Sequence, residues 1–211
     1  IDYFIFNSHF IKNYFINKFQ NLNFKNHCVI INGCDQTIFK QKTLYFQERN
    51  KIVTHHWSPN LNKGYDTYLK LWKHCEKSNN LEFVFIGKHV PDMFKHVNIN
   101  GPFVGNELVN ALDDCQIYIT DSKYDSCPNH VIEAISCGLP ILYSNVDGGA
   151  KELCEMTDLP VDYPSLVKAM NGMNKQVALA VTRDGSRFAI GIGDSSEEAA
   201  NIAILRCMFH L

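Results

Sequence analysis

The 211-residue sequence predicts an α/β fold in which a Rossmann-like parallel sheet carries helices on both faces. Two observations predict it: short apolar runs alternate with amphipathic helical patterns between residues 51 and 160, and glycines fall where the two patterns meet. Alternating strands and helices are typical of parallel sheets, because each strand returns through a crossover helix. The composition agrees, since 45% hydrophobic and 20% charged residues are close to the average for globular domains.

Five apolar runs are the candidate strands of this sheet. They cover residues 51–56, 81–86, 98–103, 117–120 and 140–144. Between them, apolar side chains recur at helical spacing over residues 65–72 and 108–112. Upstream, residues 3–24 predict a strand followed by a helix that begins after Ser8, and residues 28–31 predict another short strand.

The end of the sequence differs in composition from the rest. Residues 176–211 contain arginine and no lysine, whereas Arg49 is the one arginine before them. This change in composition indicates a boundary between two parts of the chain. The tail itself predicts a hairpin turning near Asp184-Gly185, followed by a helix that begins with Ser195 and Glu198 at capping-box spacing. We assign this appendage no activity.

Charge and cysteine content exclude several classes of protein. A net charge of -2 and an isoelectric point near 6.5 argue against a nucleic-acid binder, which would show a clustered basic face. No apolar run approaches the roughly 20 residues of a membrane span. The eight cysteines form no C-x-x-C pair, which predicts reduced thiols in the cytoplasm and no zinc site. The glycine motifs of dinucleotide and P-loop enzymes are also absent.

The segment from Asp121 to Pro140 carries the most informative pattern. It runs from the end of a predicted strand through a loop into a short apolar helix, and ligands of open parallel sheets bind at such ends. Asp125 lies in the loop, whereas Glu133 lies on the helix among apolar residues, where an ionised carboxylate needs a hydrogen-bond partner. Pro128 suits the first helical turn, whose free amides would face an anionic or hydroxyl-rich ligand. His130 is predicted to be a partnered structural residue.

Asp125 and Glu133 are eight residues apart, which is similar to the E-x7-E signature of retaining GT-B glycosyltransferases of family 4, also called group 1. Aspartate replaces the first glutamate. Three further segments resemble motifs of the same family in the same order. They are Val29-Ile30-Ile31-Asn32-Gly33-Cys34-Asp35 with Phe39, Lys63-Gly64-Tyr65-Asp66, and Gly148-Gly149-Ala150-Lys151-Glu152. The resemblance covers residues 6–153 and omits the tail.

The resemblance implies the donor-binding lobe of a GT-B glycosyltransferase. Such an enzyme transfers a sugar with retention from a nucleoside-diphosphate sugar to a hydroxyl acceptor on a glycan, lipid or protein, and requires no metal or other cofactor. Lys63 would contact the diphosphate and stabilise charge on the leaving phosphate. Glu133 would bind the ribose hydroxyls, and Asp125 would bind hydroxyls of the donor sugar.

The resemblance also implies further donor-binding positions and a division of the chain. The loops at Gly87-Lys88 and at residues 102–104 would flank the base, and helix-terminal amides would orient the sugar or the phosphates. The expected binding residues are Gly64, Gly87, Lys88, Pro102, Phe103, Ser126, Cys127, Pro128, Asn129, Gly148 and Gly149. Residues 1–47 would be a remnant of an N-terminal lobe with its connector, residues 48–172 the nucleotide-sugar-binding domain, and residues 173–211 the appendage. The rest of the N-terminal lobe would then be missing.

Two departures from the family pattern leave alternatives open. The family usually has an arginine five residues before the lysine, where this sequence has Ser58. Either His55 or His56 takes over part of its role, or one of these imidazoles is packed and the other faces solvent. Trp57 and Trp72 are predicted to be core residues. With the acceptor lobe truncated, the chain could instead be a nucleotide-sugar-binding module or an inactive remnant; a GT-B phosphorylase or epimerase is a further alternative.

Overall fold

The computed structural model describes residues 3–21, 23–40, 50–144, 148–156, 160–162, 176–181 and 188–193. Two short strands, β1 (Phe4–Phe6) and β2 (His27–Val29), form a separate parallel pair with helix α1 (His9–Lys18) between them. Ser8 begins α1 as predicted, because its hydroxyl accepts a hydrogen bond from the Ile11 amide at 3.1 Å.

The main sheet has six parallel strands, and four of them have bounds close to those predicted. They are β3 (Asn50–His56), β4 (Leu81–Gly87), β5 (Ile99–Asn100), β6 (Ile117–Thr120), β7 (Ile141–Tyr143) and β8 (Pro160–Asp162). Their spatial order is β5-β4-β3-β6-β7-β8. The order therefore reverses between β3 and β6, and this topological switch point is where ligands of doubly wound sheets bind.

Helices cover both faces of the sheet, which confirms the predicted fold class. They are α2 (Tyr65–Cys75), α3 (Asn106–Asp113), α4 (Asn129–Ser136) and α5 (Gly149–Met156). The strands are buried on both sides, so neighbouring residues belong to different hydrophobic layers: Ile52 packs with α2, whereas Val53 packs with α3, α4 and α5. Each large side chain buried in these layers contributes about 1.5 to 3 kcal/mol.

Two strands differ from the sequence-based expectation. The run at residues 98–103 forms only the two-residue β5, because Pro102 has no amide hydrogen to extend the ladder. The sixth strand, β8, was not predicted; three residues that begin with a proline carry too little apolar pattern to indicate a strand.

In the tail, the structure describes two strands within the segment where the sequence predicts a hairpin. Strands β9 (Gln176–Val181) and β10 (Phe188–Gly193) pair antiparallel. The predicted turn at Asp184-Gly185 and the helix after Ser195 lie outside the described residues.

Candidate functional site

A cavity of about 360 Å³ opens at the carboxyl ends of β3 and β6, at the switch point of the sheet. We call it the switch-point cavity. It is lined by the last two residues of β3 and by residues that follow β3 and β6: His55, His56, Trp57, Ser58, Lys63, Asp125, Cys127, Pro128, Asn129, His130 and Glu133. The three residues expected to act on a donor, Lys63, Asp125 and Glu133, therefore lie around a single cavity.

The loops after β3 and β6 touch each other, which fixes the shape of the cavity. Gly64 has a φ of 92°, and a Cβ atom at this position would lie 2.6 Å from the Cβ of Asp121. Only glycine tolerates both the left-handed backbone and this close approach. Lys63 precedes Gly64 in the same turn. The backbone amide of Lys123, in the loop after β6, donates to the carbonyl of Asn62 at 2.7 Å. The lysine of the first loop is thus held against the second.

Lys63 and Asp125 form an ion pair at the cavity wall. Their side chains are 25% and 17% exposed, so the pair is shielded from bulk water yet open to the cavity. The ammonium group has three donors, and one is directed at the Asp125 carboxylate. The other donors can reach a further anionic oxygen without releasing Asp125.

Glu133 has the hydrogen-bond partner that its position requires. Its Oε2 atom lies 2.8 Å from Nε2 of His55, and its side chain is 23% exposed. His55 is fully buried at the end of β3, and its Nδ1 atom lies 3.1 Å from the hydroxyl of Tyr118 on β6. Sequence reasoning anticipated the need for a partner but not its identity, since these two contacts join residues far apart in the chain.

A second layer of buried polar groups supports this wall. His56 contacts the hydroxyls of Tyr68 at 3.0 Å and of Thr54 at 3.3 Å, and His130 contacts the Thr120 hydroxyl at 3.2 Å. Burial, reinforced by neighbouring positive or imidazole groups, holds the pKa of both histidines well below the ordinary value, so both are neutral. His130 is therefore a partnered structural residue, as predicted.

One of the two alternatives left open for the histidines, and the expectation for Trp57, are wrong. His55 and His56 are both buried, so neither imidazole faces solvent; the strand end is covered on one face by α4 and on the other by α2. Trp57 is not a core residue, because it is 37% exposed and lines the cavity. It follows the last residue of β3 and so leaves the buried sheet. Trp72, in contrast, packs against the core as predicted.

Of the other expected binding residues, Cys127, Pro128 and Asn129 line the cavity and Gly64 shapes the turn beside it, whereas the remaining seven form two groups outside the lining. Ser126 and the Gly148-Gly149 pair lie behind the cavity wall: the Gly149 amide donates to the Asp125 carbonyl at 2.7 Å and fixes the loop. The second group consists of Gly87, Lys88, Pro102 and Phe103, and the structure places none of these four in the cavity lining. The Lys88 amide does donate to the His56 carbonyl at 3.3 Å, so this loop borders the same edge of the sheet.

The N-terminal segment is attached to the loop that carries Asp125. The side-chain amide of Asn32 donates to the Cys127 carbonyl at 3.2 Å and to the side-chain oxygen of Asn129 at 2.9 Å. Glu152 accepts hydrogen bonds from the first backbone amides of α1, at 2.8 and 2.7 Å. These contacts join residues far apart in the chain and could not be predicted from the motifs in which Asn32 and Glu152 stand.

Two features are absent from the described residues. No group of three or more His, Cys, Asp or Glu side chains is arranged to hold a metal ion. No helix in the described part of the chain is both long enough and apolar enough to cross a membrane.

Several solved structures share this fold. TarM superposes with a TM-score of 0.61 at 14% identity, over 82% of this chain and 36% of TarM. The pneumococcal O-GlcNAc transferase GtfA, solved with UDP and GlcNAc, gives 0.51 at 17% identity, over 72% of this chain and 31% of GtfA. Sucrose-phosphate synthase from Thermosynechococcus elongatus gives 0.58 at 17% identity, over 82% and 48%. The chain thus spans less than half of each of these proteins.

The sequence comparisons agree with the fold. No curated protein sequence matches the chain. A family model described as "Glycosyl transferases group 1" matches residues 51–176, which is more than half of the sequence and includes every strand and helix around the switch-point cavity. The chain therefore belongs to the group 1 glycosyltransferases.

Proposed function

We propose that the switch-point cavity binds a nucleoside-diphosphate sugar, and that the protein transfers this sugar with retention to a hydroxyl acceptor. The observation that carries the proposal is the convergence of Lys63, Asp125 and Glu133 on one cavity at the switch point. Two loops 62 residues apart in sequence supply the lysine and the aspartate, and the ion pair between them closes one side of the cavity.

Each of the three side chains suits a different part of the donor. Lys63 offers donors to the diphosphate while it keeps its contact with Asp125. Glu133 lies on the second turn of α4 and offers a carboxylate to the two ribose hydroxyls, which are hydrogen-bond donors. Asp125 accepts hydrogen bonds from the hydroxyls of the sugar. The start of α4 has no side-chain cap, so its first amides are available to the phosphates.

The proposed chemistry breaks the bond between the anomeric carbon and the β-phosphate oxygen. The acceptor oxygen forms the new bond on the same face, and its proton passes to the leaving diphosphate. Negative charge grows on the diphosphate as the bond breaks, and Lys63 stabilises that charge at a partly desolvated position. The chain supplies the donor side of this reaction; holding the acceptor in reach requires a second wall to the cleft.

Titration of the protein with uridine, guanosine and adenosine diphosphates tests the proposal. We expect saturable binding of at least one, with the corresponding monophosphate binding more weakly because it lacks the second phosphate. Inorganic pyrophosphate serves as a control for contacts with phosphate alone. The absence of saturable binding for all three nucleotides would refute the proposal. Product analysis then separates a transferase from a phosphorylase, since only the transferase releases nucleoside diphosphate in the presence of a hydroxyl acceptor.

A further inference from the structure

His55 connects the core of the sheet to the proposed donor site. It is fully buried, and its imidazole makes two polar contacts: Nε2 with Glu133 at 2.8 Å and Nδ1 with the Tyr118 hydroxyl at 3.1 Å. The same hydroxyl accepts a hydrogen bond from the backbone amide of His55, also at 3.1 Å. Glu133 and Tyr118 therefore hold both ring nitrogens and the backbone amide of His55.

The Tyr118 hydroxyl determines which ring nitrogen carries the proton. Burial raises the pKa of Tyr118 well above its ordinary value, so the hydroxyl keeps its proton. Since its oxygen already accepts from the His55 amide, the hydroxyl proton is free to be donated to Nδ1. Nδ1 is then an acceptor, and the imidazole proton resides on Nε2, directed at the carboxylate.

The carboxylate of Glu133 is held by one oxygen only. Within the described part of the chain, Oε2 is the Glu133 oxygen with a protein partner, and the side chain keeps 23% of its surface open at the cavity. A carboxylate has two oxygens with similar acceptor capacity. With Oε2 engaged by His55, Oε1 is the oxygen left to accept a hydrogen bond from a ligand hydroxyl in the cavity that Glu133 lines.

We propose that His55, with its tautomer set by Tyr118, is a positioning residue that holds the Glu133 side chain oriented to bind a vicinal diol of the ligand. This inference rests on the proposed function, which makes the ribose of the donor that diol. The geometry also explains why a charged side chain is tolerated on an apolar helix, because the Nε2–H donor compensates part of its lost hydration.

The test compares each nucleoside diphosphate with its 2′,3′-dideoxy form, so that the ratio of the two dissociation constants measures recognition of the diol. In the unmodified protein we expect a ratio of about 10 to 100, as is usual for hydrogen bonds to a charged acceptor. His55→Leu removes the donor and should bring the ratio close to unity. His55→Gln places an amide N–H near the position of Nε2–H and should restore most of it.

Two control variants separate positioning from other effects. Lys63→Ala should weaken both nucleotides while leaving their ratio unchanged, because it acts on the diphosphate. The exposed His96, on a loop outside the cavity lining, provides a matched histidine, and His96→Leu should change neither constant. Because His55→Leu alters a buried site, Tyr118→Phe provides a second route: it keeps the aromatic ring and removes the hydroxyl, and it should also lower the ratio.

The tautomer is measured independently of any ligand from the ring ¹⁵N chemical shifts of His55. A protonated Nε2 with an unprotonated Nδ1 supports the inference, and the reverse pattern overturns it even if His55→Leu does not fold. An unchanged diol ratio in both folded variants, His55→Leu and Tyr118→Phe, would overturn it while leaving the proposed function intact. If no nucleoside diphosphate binds the unmodified protein, the proposed function and this inference both fail.

Discussion

Replacing Lys63 with alanine should weaken the binding of a nucleoside diphosphate without unfolding the protein. The lysine side chain is 25% exposed and packs at the cavity wall rather than in the core, so its removal leaves no large internal void. It deletes a charge-assisted hydrogen bond to phosphate. Such contacts contribute about 1 to 3 kcal/mol, which corresponds to an increase in the dissociation constant of about 5- to 150-fold.

The local charges place the expected value in the upper part of that range. Without Lys63, the Asp125 carboxylate, which is 17% exposed beside the lysine, loses its cationic partner. At a separation of about 6 Å and an effective dielectric constant of about 20, two like charges repel by about 3 kcal/mol. The double variant Lys63→Ala with Asp125→Asn should therefore bind nucleoside diphosphate more tightly than Lys63→Ala alone.

Isothermal titration calorimetry measures both effects, and Lys51 provides the matched control. Lys51 is 26% exposed and pairs with Asp114, but it stands near the start of β3 and so at the opposite end of the sheet. Lys51→Ala removes an equivalent charge and ion pair without touching the cavity. An equal loss of affinity in the two single variants, or none in Lys63→Ala, would show that Lys63 does not contact the diphosphate.

Three further predictions concern the stability of the fold, each measured as the free energy of unfolding in urea. Gly64→Ala should destabilise the protein by at least about 2 kcal/mol, because the new methyl group would clash with Asp121 and the backbone at residue 64 is left-handed. A loss below about 0.5 kcal/mol, which is typical of a neutral surface substitution, would contradict this geometry. Glu152→Ala removes the carboxylate that accepts from two backbone amides of α1, and should lower the free energy of unfolding by about 1.5 to 3 kcal/mol. If the hydrogen-exchange protection of those two amides does not change in the variant, the contact is not formed in solution. Burial lowers the pKa values of His56 and His130 in the folded state, so the unfolded state binds more protons below pH 6.5. As the pH is lowered below 6.5, the free energy of unfolding should therefore fall by up to about 1.4 kcal/mol per pH unit for each histidine. A free energy of unfolding that does not change over this pH range would mean that neither histidine is buried and neutral.

Most of the fold could be predicted from the sequence because its signals are local. The apolar run at residues 117–120 is bounded by polar residues and became β6 without change, and the helical spacing from Tyr65 onward became α2. The edge strand β8 could not be predicted, since it is defined by pairing with β7 and by little in its own three residues. The shortening of β5 could have been anticipated from Pro102, which cannot donate to a neighbouring strand.

The candidate site was predictable only in part, for a physical reason. Asp125 and Glu133 stand on one continuous loop and helix, so their spacing alone places them near each other. The partner of Glu133 comes instead from β3, and the hydroxyl that orients His55 comes from β6, 63 residues further along the chain. That contact depends on the register in which Val53 pairs with Tyr118, which no local pattern encodes.

A crystal structure of the protein with the nucleoside diphosphate that binds most tightly tests the central claim most directly. We expect a phosphate oxygen within hydrogen-bond distance of Lys63 Nζ and a ribose hydroxyl within the same distance of Glu133 Oε1. The hydrogen bond between His55 Nε2 and Glu133 Oε2 should remain in place. The structure contains another recess, of about 230 Å³, beside Lys51, Phe103 and Asp114. A nucleotide bound in that recess, with the switch-point cavity vacant, would contradict the proposal that the switch-point cavity is the donor site.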